Sequence, residues 1–308
     1  MNVLIVGLGS IAKKHIVALG SLSLDFKIFA LRSSVKADQF ENVINVFNLE
    51  DESLIFDFAI ISNPTHLHYQ FIELLTTKSI PLFIEKPVVH NLDKVDELLR
   101  LVSDKQLTTY VACNLRFHPC LLYLKNKLDS EVLRINELNV YCGSYLPDWR
   151  SGQEFRKSYS ANSAMGGGVH LDLFHELDYV TWLFGFPNAS HSVTRNVSSL
   201  TIDAADYANY ILQYETFTAS VVLNYYRRKP KREIEIVFED RIWTVDLINN
   251  TIKDSNGLLL FEATNFNVLE TYKSQLDYFI NCLRNNKKPM NSIQESIPVL
   301  KICLKNEK

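Results

Sequence analysis

The 308-residue sequence contains nothing close to the ~18 uninterrupted apolar residues that a membrane-crossing helix needs, so no membrane span is expected. A strong charge of either sign is also missing. With 32 basic and 35 acidic side chains the formal balance is -3, which removes the electrostatic case for a nucleic-acid partner. The five cysteines (113, 120, 142, 282 and 303) have no metal-ligand spacing, and their odd number fits reduced thiols better than a disulfide framework. No charged leader precedes an apolar core, because the first apolar run is itself a strand; a cytoplasmic chain without a metal is the expectation. Repeats and low-complexity linkers are absent too. What remains is a globular composition, 47% hydrophobic, in a chain longer than one domain usually is, so two domains are expected.

The most informative stretch is Val3-Leu4-Ile5-Val6-Gly7-Leu8-Gly9-Ser10-Ile11-Ala12. Four apolar residues read as a strand buried on both faces, and Ile11 to Leu19 continues at helical spacing. Gly-x-Gly-x-x-Ala in that context is a dinucleotide fingerprint. Gly7 permits the turn, Gly9 lets backbone N–H groups approach a pyrophosphate, and Ala12 allows helix and strand to pack closely. The phosphates then meet unpaired donors at a helix N-terminus.

Strand and helix patterns alternate onward. Strands are expected at 26–31, 43–47, 56–62, 80–84 and 107–112, with helices at 65–77 and 92–103. Six strands with helical crossovers describe a doubly wound parallel sheet, an α/β Rossmann domain over 1–117. Beyond it the rhythm changes. A helix at 120–128 and a strand at 133–141 precede a loop at 143–165, a continuous helix at 168–184, and strands at 189–197, 207–214, 218–225, 232–239 and 242–247. Helices at 267–284 and 292–305 close the chain. The second domain, 118–308, is therefore expected to be α+β around a mainly antiparallel open sheet. The basic run Arg227 to Arg232 falls between two of these strands and reads as a solvated hairpin turn.

At the end of the second strand an NAD-binding domain of this kind carries an acidic residue for the ribose 2′-hydroxyl. Here the chain reads Leu31-Arg32-Ser33-Ser34, with no carboxylate. Arg32 can pair with a 2′-phosphate and the serines add donors, so NADP(H) is favoured over NAD(H).

Glu85-Lys86-Pro87 follows directly on the apolar strand 80–84, at the end where a dinucleotide must lie. In the helix at 168–184, Asp172, His175, Glu176 and Tyr179 fall at i, i+3, i+4 and i+7 and are expected on one polar stripe. A carboxylate with an imidazole beside Gly166-Gly167-Gly168 suits the binding of a hydroxyl and movement of its proton. His170, two residues before Asp172, is read as a structural histidine.

Together with Asn63-Pro64-Thr65-His66-Leu67-His68 and Asn114-Leu115-Arg116-Phe117-His118-Pro119, these motifs resemble the Gfo/Idh/MocA family over essentially the whole chain. The resemblance implies a two-domain oxidoreductase moving hydride between a nicotinamide and a secondary alcohol or ketone of a sugar or sugar derivative. It implies that Lys86 lies near the reacting carbon, with Asp172 and His175 as the other catalytic residues. Many family members space that Asp and His four apart, whereas here the interval is three, which leaves open whether His175 or Glu176 takes the catalytic position. The cofactor-binding set implied is Gly7, Gly9, Ser10, Ile11, Arg32, Ser33, Asn63, Pro64, Thr65, His68, Glu85, Lys86, Asn114 and Arg116.

The stretch holding Tyr145, Trp149, Arg150, Arg156 and Tyr159 resembles a subgroup linked to bacterial surface sugars. Arginines with aromatics suit a sugar that also carries carboxylate or phosphate, a sugar acid or nucleotide sugar. The alternative for these residues is a surface loop packed on the second domain. A homodimer or homotetramer is implied by the resemblance alone. A rival reading of the whole chain is a non-catalytic dinucleotide-binding sensor or scaffold, which would need the pocket but not the proton-transfer groups.

Overall fold

The computed structural model describes residues 1–305 apart from 35–38, 52 and 151. The chain divides into two compact units, one of residues 1–114 with 267–298 and the other of 115–266 with 299–308. A single cut at 117/118 was expected. The chain instead returns to the first unit near its end, because a C-terminal helix supplies part of that unit's core.

In the first unit, β1 (Asn2–Val6), β2 (Lys27–Leu31), β3 (Val43–Val46), β4 (Phe58–Ile61), β5 (Leu82–Ile84) and β6 (Thr109–Val111) pair in parallel in the order β3-β2-β1-β4-β5-β6. Strands β1, β2, β4, β5 and β6 are mostly buried and apolar, with helices α1 (Ser10–Gly20), α2 (His68–Thr77) and α3 (Val95–Asp104) following β1, β4 and β5, whereas β3 lies at the sheet edge with no buried residue. Val3, Leu4, Ile5 and the whole of β4 are fully buried. Strand order reverses between β1 and β4, the switch point at which ligands bind in such sheets.

The second unit opens with α4 (Pro119–Ser130) and β7 (Ile135–Tyr145), followed by α5 (Val169–Asp172) and α6 (His175–Phe184). Strands β8 (Ala189–Arg195), β9 (Tyr207–Gln213), β10 (Thr218–Asn224), β11 (Tyr226–Phe238), β12 (Ile242–Asp246), β13 (Thr251–Asp254) and β14 (Leu259–Glu262) complete an eight-stranded sheet with β7. Its order is β14-β13-β12-β11-β7-β10-β9-β8, antiparallel throughout except for the parallel pair β7–β10. Alternation in β7 buries Leu138, Val140 and Cys142 and turns Glu137, Asn139 and Tyr141 to the other face.

Two helices close the chain, α7 (Leu269–Arg284) and α8 (Ile293–Leu304). In the first unit α7 inserts Phe279 against Phe58, Phe83 and Tyr110, with ring centroids 5.4–5.9 Å apart. These aromatic contacts are why residues 267–298 belong with the Rossmann sheet.

Two expectations are corrected. Arg227 to Arg232 is not a hairpin turn but part of β11, since β10 and β11 lie on opposite sides of β7 and are not neighbours. Pro230 has no N–H to give a ladder, and the β11–β7 register shifts between Tyr226↔Tyr145 and Lys231↔Gly143, bulging the intervening basic residues. Nor is 168–184 one helix. Leu173 leaves helical geometry (φ −98°, ψ 35°), so α5 is a single turn and α6 starts afresh. The i, i+3, i+4, i+7 stripe therefore does not form: Glu176 and Tyr179 are fully buried, while Asp172 and His175 are half-buried.

Candidate functional site

The chemistry-bearing residues form two groups, one in each unit. In the first, the chain leaves β1 at Gly7 with φ +85°, and a Cβ there would lie 2.5 Å from the Asn63 Cα. Only glycine lets the fingerprint turn press against the turn after β4. Ser62 ties the same two turns, its hydroxyl donating to the Gly7 carbonyl at 3.0 Å.

Gly9 is the N-cap of α1. Among the described residues no side chain caps that helix, its first turn holds no acidic residue, and the space beside the Gly9 Cα is open. The N–H groups at this end, including those of Ser10 and Ile11, are thus left for an external acceptor. Beside them the Asn63 carboxamide is buried with neither Oδ1 nor Nδ2 paired among the described residues. An uncapped helix start and an orphaned amide at the switch point fit a bound dinucleotide.

Lys86 follows β5 and is half-buried, and the Lys86–Pro87 peptide is cis. Its neighbour Glu85 is anchored by a residue the sequence reading passed over: the fully buried His15 of α1 meets Glu85 Oε1 through Nε2 at 2.6 Å. A histidine at i+3 from Ala12 and i−4 from Leu19, on the helix's apolar face, was the available signal. The ring packs edge-on to Phe83 and Tyr272, so α1, β5 and α7 all fix the backbone that carries Lys86.

His68 is a second brace. Its Nδ1 lies 3.0 Å from the Pro87 carbonyl and its Nε2 3.0 Å from the Asn63 carbonyl. It is buried, and desolvation holds its pKa below the usual histidine value. The ring sits between the loops that carry Asn63 and Lys86, and its single N–H in the neutral form can donate to one of these carbonyls. Pro64 and the buried Thr65 shape the first of these loops.

Four further residues of the expected set stand as follows. Arg32 and Ser33 follow β2, Arg32 half-buried with Nη1 3.4 Å from Asn45 Oδ1 and Ser33 exposed. Asn114 is buried and donates to Thr271 Oγ1 at 2.6 Å. Arg116 takes a different part from the one expected. It belongs to the second unit and makes a buried two-point pair with Asp178 of α6, at 2.9 and 2.8 Å.

In the second unit the glycine triplet is a packing device. A Cβ on Gly167 would fall 2.0 Å from the Tyr159 carbonyl oxygen, and Gly168 has φ +125°. The segment carrying Tyr159 is thereby held against the start of α5. Asp172, the last residue of that turn, accepts from Tyr159 Oη at 2.9 Å on one carboxylate oxygen and from Tyr225 Oη at 2.5 Å on the other. Tyr225 was not singled out from sequence; it lies where the chain crosses from β10 to β11, at no position that spacing marks.

His175 opens α6, and the adjoining Glu176 points elsewhere: its Oε1 meets Arg232 Nε at 2.6 Å inside the unit. His170 is half-buried, and desolvation of its ring pushes its pKa down to about 4.

Around Asp172 stand most of the expected sugar-binding residues. The Trp149 ring meets Tyr225 edge-on at 5.3 Å and its Nε1 donates to Ser144 Oγ. The Arg150 guanidinium lies over the Tyr159 ring at 5.2 Å. Tyr145 ends β7 rather than standing in a loop, and Arg228 of the β11 bulge lies over its ring at 4.3 Å. Arg156 is not brought to this group; it is exposed, over Phe155 and 3.4 Å from Glu154. No group of three or more metal-ligating side chains occurs among the described residues, and no helix of them is long and apolar enough to cross a membrane.

Residues 1–113 match a family profile described as "Oxidoreductase family, NAD-binding Rossmann fold", and residues 128–242 match "GFO/IDH/MocA C-terminal domain". The chain is 25% identical to an inositol 2-dehydrogenase of Rhizobium meliloti over 233 residues, 71% of this chain and 67% of that one. It is also 25% identical to a UDP-N-acetylglucosamine 3-dehydrogenase of Acidithiobacillus ferrooxidans over 198 residues, 64% of this chain and 57% of that one. A solved structure of the latter superposes with TM-score 0.79 at 19% identity, covering 99% of this chain and 96% of that one. A levoglucosan dehydrogenase in complex with NADH and levoglucosan gives 0.84 at 16% identity, covering 98% and 95%. The WlbA dehydrogenase of Bordetella pertussis, in complex with NADH and UDP-GlcNAcA, gives 0.78 at 16%, covering 98% and 93%.

Proposed function

The chain belongs to the Gfo/Idh/MocA oxidoreductase family, and from that premise we propose that it interconverts a secondary alcohol and a ketone on a sugar or sugar derivative. A bound nicotinamide, NADP(H) in preference to NAD(H), supplies or takes up the hydride. The preference is supported by Arg32 and Ser33 after β2, where a positive group and hydroxyl donors suit a 2′-phosphate and a carboxylate would repel it.

The chain's own residues handle the oxygen and its proton. The Lys86 ammonium donates to the substrate oxygen and stabilises the negative charge that gathers there as the carbon–hydrogen bond forms or breaks. His175 carries the hydroxyl proton, a task suited to an imidazole near neutrality. Asp172 orients a neighbouring hydroxyl. Between the two candidates on α6, the buried pairing of Glu176 with Arg232 supports His175, since a carboxylate committed to an internal ion pair is poorly placed to exchange protons with a substrate. The observation that carries the reading is the bracing of Lys86 at the carboxyl end of β5, in the unit whose switch point holds the fingerprint.

The substrate class is a sugar with an anionic substituent, a sugar acid or a nucleotide sugar. Arg150 and Arg228 support this, each guanidinium lying over a tyrosine ring, Tyr159 and Tyr145, with no carboxylate partner among the described residues. Arginines so placed retain donors for carboxylate or phosphate while the aromatics meet sugar rings. The UDP-sugar names of two similar proteins point the same way.

The test is to incubate the protein with reduced and oxidised nicotinamides and a panel of neutral, carboxylated and nucleotide-linked sugars and keto-sugars, following nicotinamide absorbance. Turnover is expected on anionic members, and Lys86→Met is expected to lower it by about 10²-fold or more while dinucleotide binding survives. Tight dinucleotide binding without turnover on any member would defeat the reading.

A further inference from the structure

Asp172 is held in a way that the proposed chemistry does not require. Each of its two carboxylate oxygens receives one phenol, from Tyr159 at 2.9 Å and from Tyr225 at 2.5 Å. The phenols come from separate stretches of backbone, and each stretch is pinned. Tyr159 opens a short 3-10 turn pressed on the glycine triplet, where Gly167 N–H donates to the Asn162 carbonyl at 2.9 Å and Gly168 N–H to that of Ser160 at 3.2 Å. Tyr225 is fully buried at the β10–β11 crossing, its N–H donating to the Asp206 carbonyl and its carbonyl accepting from Leu146 N–H.

A phenol below its pKa has one proton to give, and an ionised carboxylate has only acceptors. Two phenols donating to two oxygens therefore favour the charged carboxylate and fix its plane. A carboxylate has about four acceptor sites, more than the two that these phenols take.

We propose that Tyr159 and Tyr225 are positioning residues that hold Asp172 as an oriented anion, so that it serves as a fixed acceptor and not as the group that gives up or takes the proton. This rests on the reading of Asp172 as a substrate-orienting residue. The charged and titratable groups around it agree with the assignment. Asp172 and burial keep the Tyr159 phenol protonated well above the ordinary tyrosine range, and burial followed by Asp172 does the same for Tyr225. His170, on the same turn, is neutral near pH 7 because burial lowers its pKa to about 4. Arg150 lies over the Tyr159 ring, and its charge offsets part of the rise in that phenol's pKa. Proton movement is left to His175.

The test is a titration of the full-length chain carrying ¹³Cγ-aspartate, with the Asp172 resonance assigned by its loss in Asp172→Asn. Tyr225→Phe and Tyr159→Phe should each move the carboxyl's midpoint up, because each removes a donor to the charged form. Circular dichroism checks that each variant is folded. If Tyr225→Phe does not fold, the partly exposed Tyr159→Phe decides alone. A midpoint unmoved in either folded variant overturns the assignment. The titration needs no substrate, so failure of the functional reading, seen as no turnover of any sugar, is separate from failure of the clamp.

Discussion

Replacing Arg116 with methionine separates two roles that its sequence motif leaves joined. The residue follows the last Rossmann strand, yet its guanidinium makes two bonds to Asp178, and the two side chains are only 8% and 1% exposed. Arg116→Met leaves the Asp178 carboxylate buried and unpaired. Breaking a buried pair from one side costs about 3–5 kcal/mol, and loss of the cation–π contact with Trp182 at 5.8 Å adds to it. For a unit of this size each kcal/mol lowers Tm by about 2–4 °C, so a drop of roughly 6–20 °C is expected by calorimetry. The double variant Arg116→Met with Asp178→Leu should recover most of the loss, because replacing both charges with apolar groups is often neutral. Dinucleotide affinity, titrated well below the lowered Tm, should be unchanged. A Tm within about a degree of the parent's, or a tenfold weaker dinucleotide at unchanged Tm, would refute the structural role.

Gly7→Ala should abolish dinucleotide binding and destabilise the first unit, since a Cβ at φ +85° would sit 2.5 Å from the Asn63 Cα; retained binding in a fluorescence titration would contradict this. Arg32→Ala should weaken NADP(H) by about tenfold or more and leave NAD(H) nearly unaffected, and equal loss of both would remove the 2′-phosphate assignment. His118 caps α4 through Nδ1, which accepts the Cys120 N–H, and Nε2 lies 3.1 Å from Asn250 Oδ1. Burial, the main cause, lowers its pKa from 6.5 to about 4. The unfolded chain therefore binds this proton first: stability is whole above pH 6.5 and declines as pH falls toward 4, by up to about 1.4 kcal/mol per pH unit. His118→Asn keeps a capping side chain and should flatten that slope in urea melts; an unchanged slope would exclude His118 as its source.

Legibility followed the range of the interactions. The alternating Rossmann elements were readable because buried parallel strands show as continuous apolar runs, and the fingerprint was readable because it needs glycine at fixed offsets. Glu85-Lys86 stood out as charge directly after such a run. The break at Leu173 was not readable, because Leu171, Leu173 and Leu177 satisfy an uninterrupted helix as well as an interrupted one. Pro230 and its basic neighbours looked like a turn because local composition cannot tell a turn from a bulged strand whose partner lies over 80 residues earlier.

Local sequence was enough for the fold class, the dinucleotide turn and the position of Lys86, because each depends on residues within one strand–turn–helix unit. Pairings between distant residues set the rest: His15 with Glu85, Arg116 with Asp178, Glu176 with Arg232, and the two phenols on Asp172. Such polar groups are exposed and interchangeable in an extended chain. They acquire particular partners only when burial makes an unsatisfied charge or donor too costly to leave.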